Sequence, residues 1–353
     1  MGKTRFNWLD IMKFIGMWMI FAIHSHHAWT KQFEFVTLQL FFFSAGLFAG
    51  KGLESDFRKF LLTGLRRLMV PYLIFVVISA GLHRMLYDAS GKTLLIEILL
   101  GCRDHLPCAT LWFLPSLFCG RLAFYLCFRL AGFARSERSR LCMMGALVFA
   151  VWAVCSFARY KMLHINIAGS YTWCLPWSAD WAGIHLPWYF AGYLLFDRIN
   201  AFHFKDLSVK GKILLVFITL ISLVYSVWSF IDPEVLNTIA DSVRIPSVLV
   251  RSLFTTILLG LPMFFVILVI SKLLNRFDFP ARVGQETLWM CCFEEIFIFI
   301  LLTVRQFTGL VIPGWTLDPA VSQWTGFLFA LFEMLFMYFL LIPVFKKTVA
   351  KWL

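Results

Sequence analysis

Leu9-Asp10-Ile11-Met12-Lys13-Phe14-Ile15-Gly16-Met17-Trp18-Met19-Ile20-Phe21-Ala22-Ile23-His24 is an apolar stretch that carries two opposite charges and a histidine. Ten residues with no ionisable side chain separate Lys13 from His24, and the apolar run continues to Trp29. On an α-helix eleven steps of about 100° return to within about 20° of the start, so Lys13 and His24 share one face. They stand about 16 Å apart along the axis, with Asp10 one turn before Lys13 on the same face. A run of this length reads as a membrane helix. Ionisable groups inside such a helix are costly and face a protein interior or a water-filled cavity. The stripe therefore predicts a helical membrane bundle with a polar interior and marks a candidate site.

The rest of the chain agrees with a membrane fold. It is 60% hydrophobic and 15% charged over 353 residues, with a mean hydropathy of +0.79, far from a soluble composition. Ten apolar segments can be drawn, near 9–29, 35–50, 68–87, 110–131, 141–158, 181–196, 213–231, 247–271, 287–304 and 324–345. What lies between them is connecting loop, including 51–67. The expectation is an all-α, polytopic bundle of about ten transmembrane helices forming a single domain over 1–353, with no separate soluble domain.

Lysine and arginine set the orientation. With the N-terminus inside, the cytoplasmic loops hold 21 basic residues and the outer ones 9. Both termini are then cytoplasmic, and the chain is multi-pass in the plasma (inner) membrane. The net charge of +12 is concentrated in loops that this topology explains, so no nucleic-acid partner is expected. Asp10 and Lys13, and the lack of a small-residue cleavage site after the first segment, predict a retained helix rather than a signal peptide. Nine cysteines at scattered spacing form no metal signature. Cys102, Cys108 and Cys174 fall on the outer side, where one disulfide is allowed, and Cys291 and Cys292 read as packing residues.

Further polar groups fall within or beside apolar segments. Glu294-Glu295 lies in the ninth segment and Glu333 in the tenth. Adjacent carboxylates point about 100° apart on a helix, so the pair cannot face one site equally. The outer stretch from Tyr171 to Trp188 is rich in tryptophan and carries Asp180 and His185. These tryptophans read first as interface anchors and second as sugar-stacking surfaces.

Several short motifs then combine into a resemblance. Asp10, Lys13 and His24 match an Asp-x-x-(Arg/Lys) pattern followed after ten residues by histidine. Phe42-Phe43-Ser44-Ala45-Gly46 is an aromatic-Ser-Gly block with an extra alanine. Arg67-Leu68-Met69-Val70-Pro71-Tyr72, Leu111-Trp112-Phe113-Leu114 and Pro187-Trp188-Tyr189-Phe190-Ala191-Gly192-Tyr193 follow in order. Together they resemble the acyltransferase 3 family of integral membrane acyltransferases, which includes O-acetyltransferases of surface polysaccharides, from residue 5 to about 300.

Two departures stand out. Lys13 occupies a position where many members carry arginine, and the two are not interchangeable at a forked contact. The family's Gly-x-Asn-Ser/Thr-Leu element appears here as Gly284-Gln285-Glu286-Thr287-Leu288, and the histidine ten residues after the glycine is replaced by Glu294. Glu294 is then the candidate substitute for a second histidine.

The resemblance implies transfer of an acyl group, usually acetyl, from cytosolic acyl-CoA to a hydroxyl of a cell-envelope polysaccharide or glycolipid. The donor is a substrate, with no cofactor held permanently and no metal. His24 falls in the outer half of the hydrocarbon layer and suits a general base, since imidazole titrates near neutral pH. His27, one turn above, is a candidate acceptor contact, and His26 points elsewhere. Asp10 orients Lys13 near the inner surface. Arg58, Lys59, Arg66 and Arg67 are candidate ligands of the CoA phosphates, or plain topology signals. Direct transfer and a transient acyl-histidine both remain open. The competing class is a transporter or lipid flippase with a proton-relaying interior.

Overall fold

The computed structural model describes residues 6–24, 34–87, 91–103, 110–161, 165–167, 170–172, 175–231, 260–308 and 323–348. His26, His27, Cys108 and Cys174 lie outside the described residues, as does most of the eighth expected segment. The chain divides into two units. One comprises Met1–Phe41, Phe196–Met290 and Thr303–Leu353, and the other Phe42–Leu195 and Cys291–Leu302.

Six helical stretches among the described residues are long and apolar enough to cross a membrane: 57–82, 113–131, 137–159, 209–226, 287–308 and 326–348. The first helix, Asn7–His24, is not among them, because Asp10, Lys13 and His24 lower its hydropathy. The Val209–Ile231 helix shows the solvent for which the fold is built. Its side chains Ile213, Val216, Phe217, Leu220, Ile221 and Val224 are all exposed. A soluble protein rarely exposes such a patch, whereas hydrocarbon wets it at no cost.

In the first unit, the start of the Asn7–His24 helix is tied down by two contacts. Asn275 Oδ1 accepts from the Trp8 backbone N–H at 2.8 Å, satisfying one of the amides that a helix start leaves open. The Asn7 side-chain amide donates to Asp278 Oδ1 at 3.0 Å. The Asp278–Gly284 helix then packs so closely that a Cβ on Gly284 would overlap the Asp10 carbonyl. Small residues permit this backbone approach in membrane bundles. Farther along, the Trp18 indole N–H donates to Phe327 O at 2.8 Å, with the two rings 4.2 Å apart.

In the second unit, two of the sequence motifs prove to be one helix crossing. A Cβ on Gly46 would strike the Tyr189 carbonyl, and one on Gly192 would strike the Phe43 carbonyl. The Phe42–Gly46 and Pro187–Tyr193 elements thus interlock glycine to backbone in both directions. Leu111 and Leu114 are fully buried, and Trp112 and Phe113 nearly so.

The basic segment 51–67, expected as a loop, is mostly helix. Asp56 caps it by accepting from the Arg58 N–H, opening the Phe57–Gly64 helix. A π-helical turn, Leu65–Met69, follows, and the Val70–Tyr87 helix continues without a break. Proline explains the turn. Pro71 offers no N–H and its ring crowds the carbonyl four residues back, so a widened turn just before it relieves the ladder. The same arrangement recurs in the first unit, where the π turn Met337–Leu341 precedes Pro343 in the Ile342–Thr348 helix.

The fold also departs from all-α in a small way. Ile165–Ile167 pairs antiparallel with Ser170–Thr172. The expected sixth segment is split, with Ala179–Ile184 ending at His185 and Leu186–Ala201 beginning directly after it. Cys102, Cys291 and Cys292 are buried, which agrees with packing for the last two, and Cys108 and Cys174, the other candidates for an outer disulfide, lie outside the described residues.

Candidate functional site

The polar face predicted for the first helix is present at its N-terminal end. Lys13 Nζ lies 2.8 Å from Asp10 Oδ1, and Asp10 is 7% exposed. Such a pair exists in an apolar setting because each charge offsets the other's desolvation. The Asp10 backbone touches Gly284, so the first motif and the Gly284-to-Leu288 element meet in space. Glu286, which replaces the family's asparagine, is engaged by Lys346, whose Nζ sits 2.6 Å from both carboxylate oxygens. The unusual acid has thus acquired its own counter-ion. His24 is the last described residue of the helix and is half-buried.

The second unit holds the other candidate carboxylate. Glu294 is 1% exposed and Glu295 8%, so the helix buries both although they point apart. Thr110 Oγ1 lies 2.5 Å from Glu294 Oε2 and 2.9 Å from Cys291 O. Thr110 fixes the orientation of that carboxyl and precedes the Leu111-Trp112-Phe113-Leu114 motif. Sequence reading did not single it out, because a lone threonine at a helix entrance carries no signal.

The basic cluster is partly assembled. Arg58, Lys59 and Arg66 line one cavity of about 340 Å³ with Asp56, Leu62 and Thr63. Arg67 is exposed and does not line it. The helical register separates them, since Arg67 sits about a quarter-turn from Arg66 in the π turn. Arg121, which the sequence marked only as a charge inside a helix, stacks over Phe60 at 4.7 Å.

A further cluster lies around Trp181. The guanidinium groups of Arg159 and Arg103 stand 4.1 and 4.6 Å from its ring, and His185 stacks on it at 5.7 Å. Arg159 also pairs with buried Asp180 at 2.9 Å. Protein groups therefore already cover this tryptophan, which argues against it as a sugar platform. Its support is strained. Trp177 and Ser178 both adopt positive φ, in a region that costs a non-glycine residue energy. Hydrogen bonds over-determine the turn: Trp177 Nε1 donates to Leu99 O, Ser116 Oγ donates to Ser178 O and the Arg103 N–H donates to Ser178 Oγ. In the first unit Gln39 is another group the sequence left unmarked, being 3% exposed with its Oε1 accepting no hydrogen bond among the described residues.

The apolar helices and the buried ionic groups define a multi-pass membrane protein with a polar interior. The family model described as an acyltransferase domain matches residues 6–317, and the chain belongs to that family. It is a membrane acyltransferase, which takes the acyl-transfer reading over the transporter alternative. No curated protein and no solved structure matches the chain.

Proposed function

We propose that the protein is an O-acyltransferase moving an acyl group, usually acetyl, from cytosolic acyl-CoA to a hydroxyl of a cell-envelope polysaccharide or lipid-linked saccharide. In this reading about ten helices span the inner membrane with both termini in the cytoplasm. The observation that carries the proposal is the Asp10–Lys13 ion pair on the same helix as His24. It keeps charge at the inner end of that helix and leaves an imidazole about 16 Å farther out.

The chemistry is direct transfer. His24 takes the proton from the acceptor hydroxyl as that oxygen attacks the thioester carbonyl, forming the new C–O bond. The C–S bond breaks, and the departing CoA thiolate recovers the proton from the imidazolium. General-base help of this kind contributes about 10²–10⁴-fold. Arg58, Lys59 and Arg66 hold the CoA phosphates at their shared cavity, with Arg67 adding long-range attraction. Glu294, oriented by Thr110, assists as a second polar group where the family carries histidine.

The test replaces His24 with Ala in protein shown to insert normally and measures acetylation of envelope polysaccharide. Loss of transfer is expected. Full retention would overturn the assignment of His24.

A further inference from the structure

The first unit contains a cavity of about 530 Å³ that the acyl-transfer reading does not use. It lies where several helix ends meet. Its walls come from the start of the first helix (Asn7, Trp8), the end of the Leu186–Ala201 helix (Asn200) and the segment after it (His203, Lys205). The end of the Leu261–Leu273 helix supplies Lys272.

The lining combines cations, amides and ring faces. Lys272 Nζ is held by a carbonyl and a ring, lying 3.3 Å from Phe202 O and 4.8 Å from the centre of the Trp8 ring. Among the described residues no carboxylate stands within ion-pair distance of Lys272 or Lys205. Two acids lie close by but are engaged: Asp206 is 3.7 Å from His203 Nδ1, and Asp278 accepts from the Asn7 amide. Asn275 accepts from the Trp8 backbone N–H, so that amide is not free for a ligand. Among the described residues the buried Trp8 indole N–H has no acceptor.

Among the described residues the half-buried Lys272 ammonium has no counter-ion, and an anion in the cavity would complete it. The volume falls in the range of small-molecule sites, about 300–1,000 Å³, and exceeds what a bare anion fills. Aromatic walls suit the organic part of an ester, while lysine grips phosphate oxygens as a point charge.

We propose that this cavity is a phosphate-ester site, with Lys272 and Lys205 holding the phosphate and Trp8, Phe202 and Phe204 flanking its organic part. The same chemistry is offered by a soluble nucleotide and by a phospholipid headgroup, because the cavity lies at helix ends where a bilayer surface would run. The site is separate from the Arg58–Arg66 cavity and does not depend on the role of His24.

Two probes distinguish the sources, each used on the full-length protein in detergent. Adenosine 3′,5′-bisphosphate, which also carries the phosphates assigned to the Arg58–Arg66 cavity, is titrated calorimetrically into protein carrying Arg58→Ala and Arg66→Ala, and phosphatidylglycerol retention is read by native mass spectrometry. The variants are Lys205→Glu, on an exposed side chain whose change spares folding, Lys272→Ala, and Lys272→Arg as the conservative control. Loss of one ammonium contact weakens binding about tenfold or more, and Lys272→Arg keeps most of it. If bisphosphate binding drops in the two disruptive variants, the site takes a soluble ester. If only phosphatidylglycerol retention drops, it takes a headgroup. Parent-like behaviour of both variants toward both probes overturns the proposal, and His24→Ala should leave either binding intact.

Discussion

Lys13 Nζ and Asp10 Oδ1 lie 2.8 Å apart, one helical turn from each other, in a helix that buries the aspartate almost completely. Breaking the pair from one side leaves a charge in apolar surroundings. Lys13→Met should therefore destabilise the protein by about 3 kcal/mol, the low end for a buried pair because Lys13 is partly exposed. Adding Asp10→Asn should restore much of the loss. Thermal unfolding in detergent of both single variants and the double reads this coupling, and additive losses would show the pair to be independent.

The Glu286–Lys346 pair is the useful contrast. It is shorter, at 2.6 Å, but its lysine side chain is 43% exposed, and exposed pairs contribute about 0–1 kcal/mol. Lys346→Met should shift stability by no more than about 1 kcal/mol, and added salt should shrink the difference further. A loss matching that of Lys13→Met would mean that exposure does not set the strength of these pairs.

Gly284 meets the Asp10 carbonyl and Gly46 meets that of Tyr189. Each approach is backbone to backbone, with no flexible side chain to yield. Gly284→Ala and Gly46→Ala should each cost about 1–3 kcal/mol, as overpacking does. Gly50→Ala should be harmless by comparison, since nothing lies within 4 Å of the added methyl. Melting temperatures of the three variants make the comparison.

Thr110 orients Glu294, so its hydroxyl should matter while its methyl does not. Thr110→Ser should retain acyl transfer, whereas Thr110→Val should lower its rate about tenfold, the kinetic equivalent of one hydrogen bond of about 1.4 kcal/mol. Rates measured with saturating acyl-CoA test this. Equal rates for the serine and valine variants would remove Glu294 from the mechanism.

Much of the fold was legible because membrane segments announce themselves locally. The Asp10–Lys13 pair followed from helical spacing alone, since residues three apart lie on one face whatever surrounds them. The stretch 51–67 was misread because its charges resemble a loop, whereas Asp56 caps it into helix. The π turns escaped notice too, although Pro71 and Pro343 within apolar runs were the signal for them. Thr110 and Gln39 carried none. A threonine or glutamine gains meaning only from what it is buried against.

By itself, then, the sequence determined the solvent, the run of helices and the face shared by Asp10, Lys13 and His24. Hydropathy and helical period are properties of neighbouring residues, so they need no fold to be read. Tertiary structure alone decided that Gly284 meets Asp10, that Glu286 finds Lys346, that Thr110 holds Glu294, and that Lys272 borders a cavity with no counter-ion among the described residues. Those are contacts between residues far apart in the chain, and only close packing brings them within reach of a hydrogen bond.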